Sequence, residues 1–339
     1  MRNQHFLLQR SSYAAVPTSS RYTSTMATAA TKTRLPRFRR ASEPPAFRLT
    51  DDDVAIIRQV ARHRFLRSTH IAALVGRSLD RTNDRLCRLF HAGYLDRPRA
   101  QLDYYPTAGS APIAYALADR GARLLAARDK DVPAQLEWSR KNREAGRPFI
   151  EHQLEIVDFR VALQSAVDAR GNLEILHADA LARAMPEATR QSADPFIMQV
   201  AVSHGGIVRH IGLAPDFTFG VRLPDGSRRC FFVEIDRGTM PIARSDFSQT
   251  SMQRKFRAYL AVHASRLHER QFGWKAFRVL TVTTDEARVR SMIDAARAVG
   301  HSGGPGAALF WFTTREQIRA ADALGAIWRD GDERAMSVA

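Results

Sequence analysis

Apolar and polar positions divide this 339-residue chain into two patterned stretches and a patternless beginning. In residues 47–130 the period is helical. Thr50 precedes Asp51, Asp52 and Asp53, a run that opens a helix, and Val54, Ile57 and Ala61 mark its apolar face. Ser68 caps a second, short helix that Gly76 breaks. A third helix is predicted over residues 78–91, ending at Gly93, with Leu79, Thr82, Leu86, Leu89 and Phe90 on one side. Two short strands, at residues 94–96 and 114–117, flank a polar loop, and a fourth helix runs over residues 119–128. Three helices and a strand pair in this order predict a winged helix-turn-helix.

The second stretch, residues 149–330, mixes periods. A helix covers residues 149–169. Residues 172–210 give only short strand candidates. Strands follow at residues 216–223 and 228–235, joined by Pro224-Asp225-Gly226-Ser227, a hairpin turn. Next come a helix over residues 248–267, a buried strand at 277–282, a helix capped by Asp285, a strand at 308–312 and a short helix from Thr314. That alternation predicts an α/β domain (α+β overall) around a central mixed sheet. Residues 131–148 read as a linker and 331–339 as a C-terminal tail. There are no internal repeats.

Residues 1–46 hold eight Lys or Arg against the single acid Glu43 and show no sustained period, which predicts a disordered basic tail. An arm brushing DNA phosphates and an organelle transit segment share this composition, and Met26 offers a second start. The whole chain has 51 Lys plus Arg against 35 acids, a net charge of +16 that favours polyanions. No window approaches 18 uncharged apolar residues, so no membrane-spanning helix is expected. The two cysteines, Cys87 and Cys230, form neither a zinc spacing nor a disulfide framework, which suits a reducing cytoplasm.

Two groups of residues carry candidate chemistry. Arg81, Arg85 and Arg88 fall on one stripe of the third helix, away from its apolar side, where a recognition helix would meet DNA. The hairpin carries the other. Side chains alternate along a strand, so Glu234 and Asp236 share a face, and antiparallel pairing brings Asp216 beside them. Three such carboxylates would hold Mg²⁺ or Mn²⁺, able to activate water for phosphodiester cleavage. Lys255 and Tyr259, one turn apart on the following helix, are placed to assist, and Glu151 and His152 open the helix before the strands.

Pro215-Asp216, a hairpin and Glu234-Ile235-Asp236 resemble the PD-(D/E)XK nuclease-like fold, whose element order residues 149–312 match. Asp236 stands where that pattern has lysine, and Lys255 is placed to supply it from the next helix. A wider resemblance spans Phe65-Leu66, Gly93-Tyr94-Leu95, Glu151-His152, Pro215-Asp216, the run from Val233 to Thr239, and Lys255-Phe256-Arg257-Ala258-Tyr259. These are similar to the replication-relaxation family of bacterial plasmids and mobile elements. The resemblance implies a cytoplasmic bacterial DNA-binding accessory protein of replication, relaxation or mobilisation, acting with DNA, with a second copy of itself or with other replication proteins. Three functions stay open: that accessory role without turnover; a Mg²⁺-dependent endonuclease or nickase using Asp216, Glu234 and Lys255; and a transcriptional regulator.

Overall fold

The computed structural model describes residues 35–102, 111–128, 137–300 and 305–339. In chain order its helices and strands begin with α1 (Asp51–His63), β1 (Phe65–Arg67), α2 (Ser68–Leu74), α3 (Leu79–His91), β2 (Leu95–Asp96), β3 (Ala114–Leu117) and α4 (Asp119–Arg128). Then come α5 (Trp138–Glu144), α6 (Arg147–Arg170), β4 (Glu174–Leu176), α7 (Ala178–Arg183), α8 (Glu187–Arg190), β5 (Met198–His204) and β6 (Ile207–Leu213). The rest is β7 (Phe217–Arg222), β8 (Arg228–Ile235), α9 (Met252–Ala264), α10 (Leu267–Phe272), β9 (Arg278–Thr283), α11 (Glu286–Val299), β10 (Phe310–Thr314), α12 (Arg315–Ala320), β11 (Trp328–Asp330) and β12 (Ala335–Met336).

The mixed α/β class stands. A seven-stranded sheet runs β12-β11-β10-β9-β8-β7-β4. Its centre, β8-β9-β10, is parallel because α9 with α10, and then α11, return the chain to the same edge before each new strand. The flanks are antiparallel. From Cys230 onward β8 is buried on both faces. One face packs Phe232, Val279 and Phe310 against Phe256 and Tyr259 of α9 and Val289 of α11. The other packs Phe231, Val233 and Trp311 against Ile156, Phe159 and Leu163 of α6. The hairpin turn forms as expected, with Gly226 supplying the positive φ of +81°.

Near the N-terminus, α1 to α4 surround a small sheet ordered β1-β3-β2. Thr50 and Asp53 form a reciprocal cap at the start of α1. The third helix starts where expected, but Leu79 lies 41% exposed rather than in the core, and only Thr82, Leu86, Leu89 and Phe90 of that side, with His91, are buried.

Helix α6 joins this layer to the large sheet. Ile150 and Leu154 pack against Phe65 and Ala116, Val157 against the core of the N-terminal layer, and Phe159 and Leu163 against the large sheet. A helix with apolar groups all round is a buried one. Gly171, at φ +68°, ends it. Residues Arg37–Ala339 consequently form one compact unit.

Three segments expected to be free are tied down. Arg40 donates to Phe90 O at 3.0 Å, to Leu95 O at 3.2 Å and to Asp96 at 2.6 Å, so residues 37–46 lie against α3 and β2 rather than in a tail; the tail up to residue 34 falls outside the described residues. The described part of the expected linker contains α5, whose buried Asn142 links Arg64, Asp96 and Leu117 O. The expected C-terminal tail supplies β12 and the fully buried Val338.

The arginine stripe also divides. Arg81 is exposed, and Arg88 makes a half-exposed pair with Asp84 at 3.1 Å. Arg85 instead turns inward, where its guanidinium grips Asp53 through both oxygens, donates to Arg48 O and lies 5.1 Å from the Phe47 ring. Asp53 is wholly buried, so its charge needs that fork. Arg85→Ala is therefore expected to cost on the order of 3 kcal/mol of stability, against within about 0.5 kcal/mol for Arg81→Ala. Urea unfolding of both variants tests this; equal midpoints would contradict it.

Candidate functional site

The β7–β8 register sets Phe217 opposite Val233. One step further, Asp216 N donates to Val233 O at 3.0 Å and Asp216 Oδ2 accepts from Ile235 N at 2.8 Å. Asp216 is thereby held at the mouth of the ladder, beside Glu234. Glu234 shares a face with Phe232, whose ring packs 5.7 Å from that of Tyr259 on α9. Four residues apart on that helix, Lys255 and Tyr259 face the strand together. Lys255 Nζ pairs with Glu234 Oε2, and the Tyr259 hydroxyl donates to Oε1 at 2.6 Å. From α6, His152 Nε2 meets Asp216 Oδ1 at 3.1 Å. His152, Asp216, Glu234 and Lys255 line one cavity of about 280 Å³.

Burial pushes the Glu234 carboxyl above its ordinary value, and Lys255 and Tyr259 offset this only in part. Burial alone would lower the Lys255 ammonium, but Glu234 and Asp216 outweigh it and hold the ammonium up, charged. Burial and Glu234 raise the Tyr259 phenol well above its usual range, so it stays a donor. Asp216 is lowered: burial works against this, but the His152 hydrogen bond, Lys255 and Ile235 N together prevail. His152 is raised, chiefly by its hydrogen bond to Asp216 and against burial.

Asp236 differs from expectation. It lies on the same sheet face as Glu234, but Arg288 grips both its oxygens and Thr283 donates to Oδ2 at 2.6 Å. Its side chain is 1% exposed, and both its oxygens are engaged at the wall of the same cavity. The three expected metal ligands thus have different partners: Asp236 is held by Arg288 and Thr283, Glu234 by Lys255 and Tyr259, and Asp216 by His152 and Ile235 N. Glu151 is likewise engaged, by Arg147 and Arg237. Around it lies a network that the sequence pattern did not reveal. Glu155 pairs with Arg315 at 2.9 Å, Arg315 donates to Asp236 O at 2.9 Å, and Arg288 donates to Met240 O at 2.6 Å. Glu155 follows Glu151 by one helical turn, a spacing that marks it as a neighbour of the site; Arg288 and Arg315 carry no such signal.

Among the described residues no three His, Cys, Asp or Glu side chains converge as a metal-ligating group. Mg²⁺ differs from zinc here, because it usually takes one or two carboxylates and fills its remaining positions with water and substrate phosphate. Asp216 and Glu234, hard oxygen donors on one cavity, fit that requirement.

Fold and site together define a mixed α/β protein whose central hairpin and following helix build a pocket of two carboxylates, a lysine and a histidine. The chain matches the replication-relaxation family over residues 57–275 and belongs to that family. The matched span contains every member of the pocket. No curated protein and no solved structure matches the chain. No helix among the described residues is long and apolar enough to cross a membrane.

The His152–Asp216 contact has a defined pH signature. A histidine raised above its ordinary value of 6.5 in the folded state stabilises the fold below that value. The contribution fades as pH rises through the raised one. NMR titration should find the His152 midpoint above 6.5, and Asp216→Asn should move it down. A midpoint indifferent to that substitution would refute the contact.

Proposed function

We propose that this replication-relaxation protein acts on DNA as a divalent-cation-dependent endonuclease or nickase. One observation carries the reading: Lys255, from the helix after the hairpin, reaches Glu234 in the cavity that Asp216 also lines. A carboxylate, a second carboxylate and a lysine are thereby gathered as phosphodiester cleavage needs them. Asp216 and Glu234 would hold Mg²⁺ or Mn²⁺, which when bound would polarise a phosphate and lower the pKa of a water. Tyr259 fixes the rotamer of Glu234, and His152 that of Asp216. Lys255, charged and about one-fifth exposed, would neutralise a phosphate oxygen as charge builds there.

The N-terminal layer would deliver the DNA. Its order of helices and strands supports a winged helix, and Arg81 and Arg88 on α3 are free enough to meet phosphate. Arg88's exposed pair with Asp84 is weak and easily exchanged for a phosphate contact. Arg85 is reassigned from DNA contact to holding α3 on α1.

A second reading also has a specific observation behind it. Lys255 and Tyr259 already satisfy both oxygens of Glu234, which suits a scaffold that grips DNA or a replication partner without turnover. Incubating supercoiled plasmid with the protein and Mg²⁺ or Mn²⁺ separates the two. The endonuclease reading predicts nicked or linear product, lost in Asp216→Ala and Glu234→Gln and reduced on the order of 100-fold in Lys255→Ala. Intact plasmid that the same preparation demonstrably binds would overturn it in favour of the second reading.

A further inference from the structure

A second polar cavity, of about 270 Å³, lies between α1, α6 and the start of β7. Arg160 of α6 reaches into it, its guanidinium 4.7 Å from the ring centroid of Phe217. No acidic or hydrogen-bonding partner for this side chain occurs among the described residues, and its Nε is buried and unsatisfied. Two further buried donors or acceptors, Nδ1 of His63 and Nδ1 of His177, are also unsatisfied, and both residues line the same cavity. Arg62 adds a second guanidinium. The one carboxylate in the lining, Asp168, is exposed and takes a hydrogen bond from Gln164 at 2.8 Å.

Buried polar atoms left unsatisfied in one cavity call for a partner there. Arg160 and Arg62 are donors and cations, so the partner that suits them is an anionic acceptor, to which a neutral imidazole can also donate. Burial lowers Arg160 to about 10, with Arg62 adding to the effect. Burial also pushes His63 down to about 2, helped by Arg160, Arg62, His177 and His70. His177 is lowered by burial, Arg62 and Arg160, with Asp179 opposing. Apart from Asp179, every charged neighbour that shifts these groups is a cation or another imidazole.

We propose that this cavity binds a phosphate group, held by Arg160 and Arg62 with His63 and His177 completing its shell. The planar guanidinium of Arg160, fixed against Phe217, offers paired donors to two phosphate oxygens. A cavity of this size takes one phosphate group with a few waters, each of which occupies roughly 30 Å³. The bound anion would tie α1 of the N-terminal layer to α6 and to Phe217, the residue after Asp216. The site is distinct from the carboxylate–lysine cavity and stands whether or not that cavity cleaves DNA. Its phosphate is either one from a DNA backbone or a free phosphate or phosphomonoester.

Thermal unfolding of the full chain tests this, with inorganic phosphate as the probe and sodium chloride at matched ionic strength as the control. Phosphate at 10 mM is expected to raise Tm by about 3 °C beyond the chloride control. Arg160→Met should abolish that rise while melting no lower than the wild type in chloride, because it removes a half-buried charge that has no acidic partner among the described residues. The exposed Arg62→Met should weaken the response at least about threefold in apparent affinity. A short duplex added at saturation then assigns the source. If it eliminates the phosphate-dependent rise, the cavity takes a backbone phosphate; if the rise persists, it takes the free group. Equal Tm in phosphate and chloride, or a full phosphate response in both variants, would overturn the proposal and leave a water-filled cavity.

Discussion

A carboxylate placed on the central strand of a buried sheet must be matched locally, and Glu234 imposes that demand here. Only 2% of its side chain reaches solvent, so both oxygens need partners from the covering layer. Helix α9 supplies them because Lys255 and Tyr259 stand one turn apart. The helix is pinned in place at its start, where Ser251 caps Arg254 N and the Pro241 and Ile242 carbonyls accept from Met252 and Gln253. The hairpin register then decides the rest. Asp216 can sit beside Glu234 only if Phe217 faces Val233, and a one-residue slip would send it to the opposite face.

Much of the chain's positive charge is spent on the fold. Arg85 holds a buried aspartate, Arg40 fastens the segment before α1, and Arg288, Arg315 and Arg237 fasten the turn after β8. A net charge of +16 still favours polyanions, but the arginine surface left to meet one is narrower than the arginine count suggests. The arginines without acidic partners are the informative ones. Arg81 is exposed on α3, and Arg160 lies half-buried over Phe217 with no acidic partner among the described residues.

The sequence made legible whatever depends on local chemistry. Thr50, Asp285 and Thr314 mark three helix starts, and the apolar-rich segment at residues 277–282 marks a buried strand. The Asp216–Glu234–Lys255 grouping followed from strand parity, a tight turn and the next helix. Partnerships across long separations stayed hidden. Strand parity rightly put Asp236 beside Glu234, yet the arginine that occupies it lies 52 residues onward. A helical wheel separates Arg85 from the apolar side of α3 but cannot show the buried aspartate waiting on α1. The three-residue β1 and the two-residue β12 are too short to carry a period, and β6, mostly exposed, lacks the apolar alternation of β5.

In the proposed function Asp216 and Glu234 would form one cation-binding pair that Lys255 flanks, while Arg288 and Thr283 hold Asp236. Titrating the DNA-free protein with Mn²⁺ and counting bound ions by electron paramagnetic resonance tests it most directly. The account predicts one bound Mn²⁺ per chain, lost in Asp216→Asn. No bound Mn²⁺, or binding that survives Asp216→Asn unchanged, would contradict it.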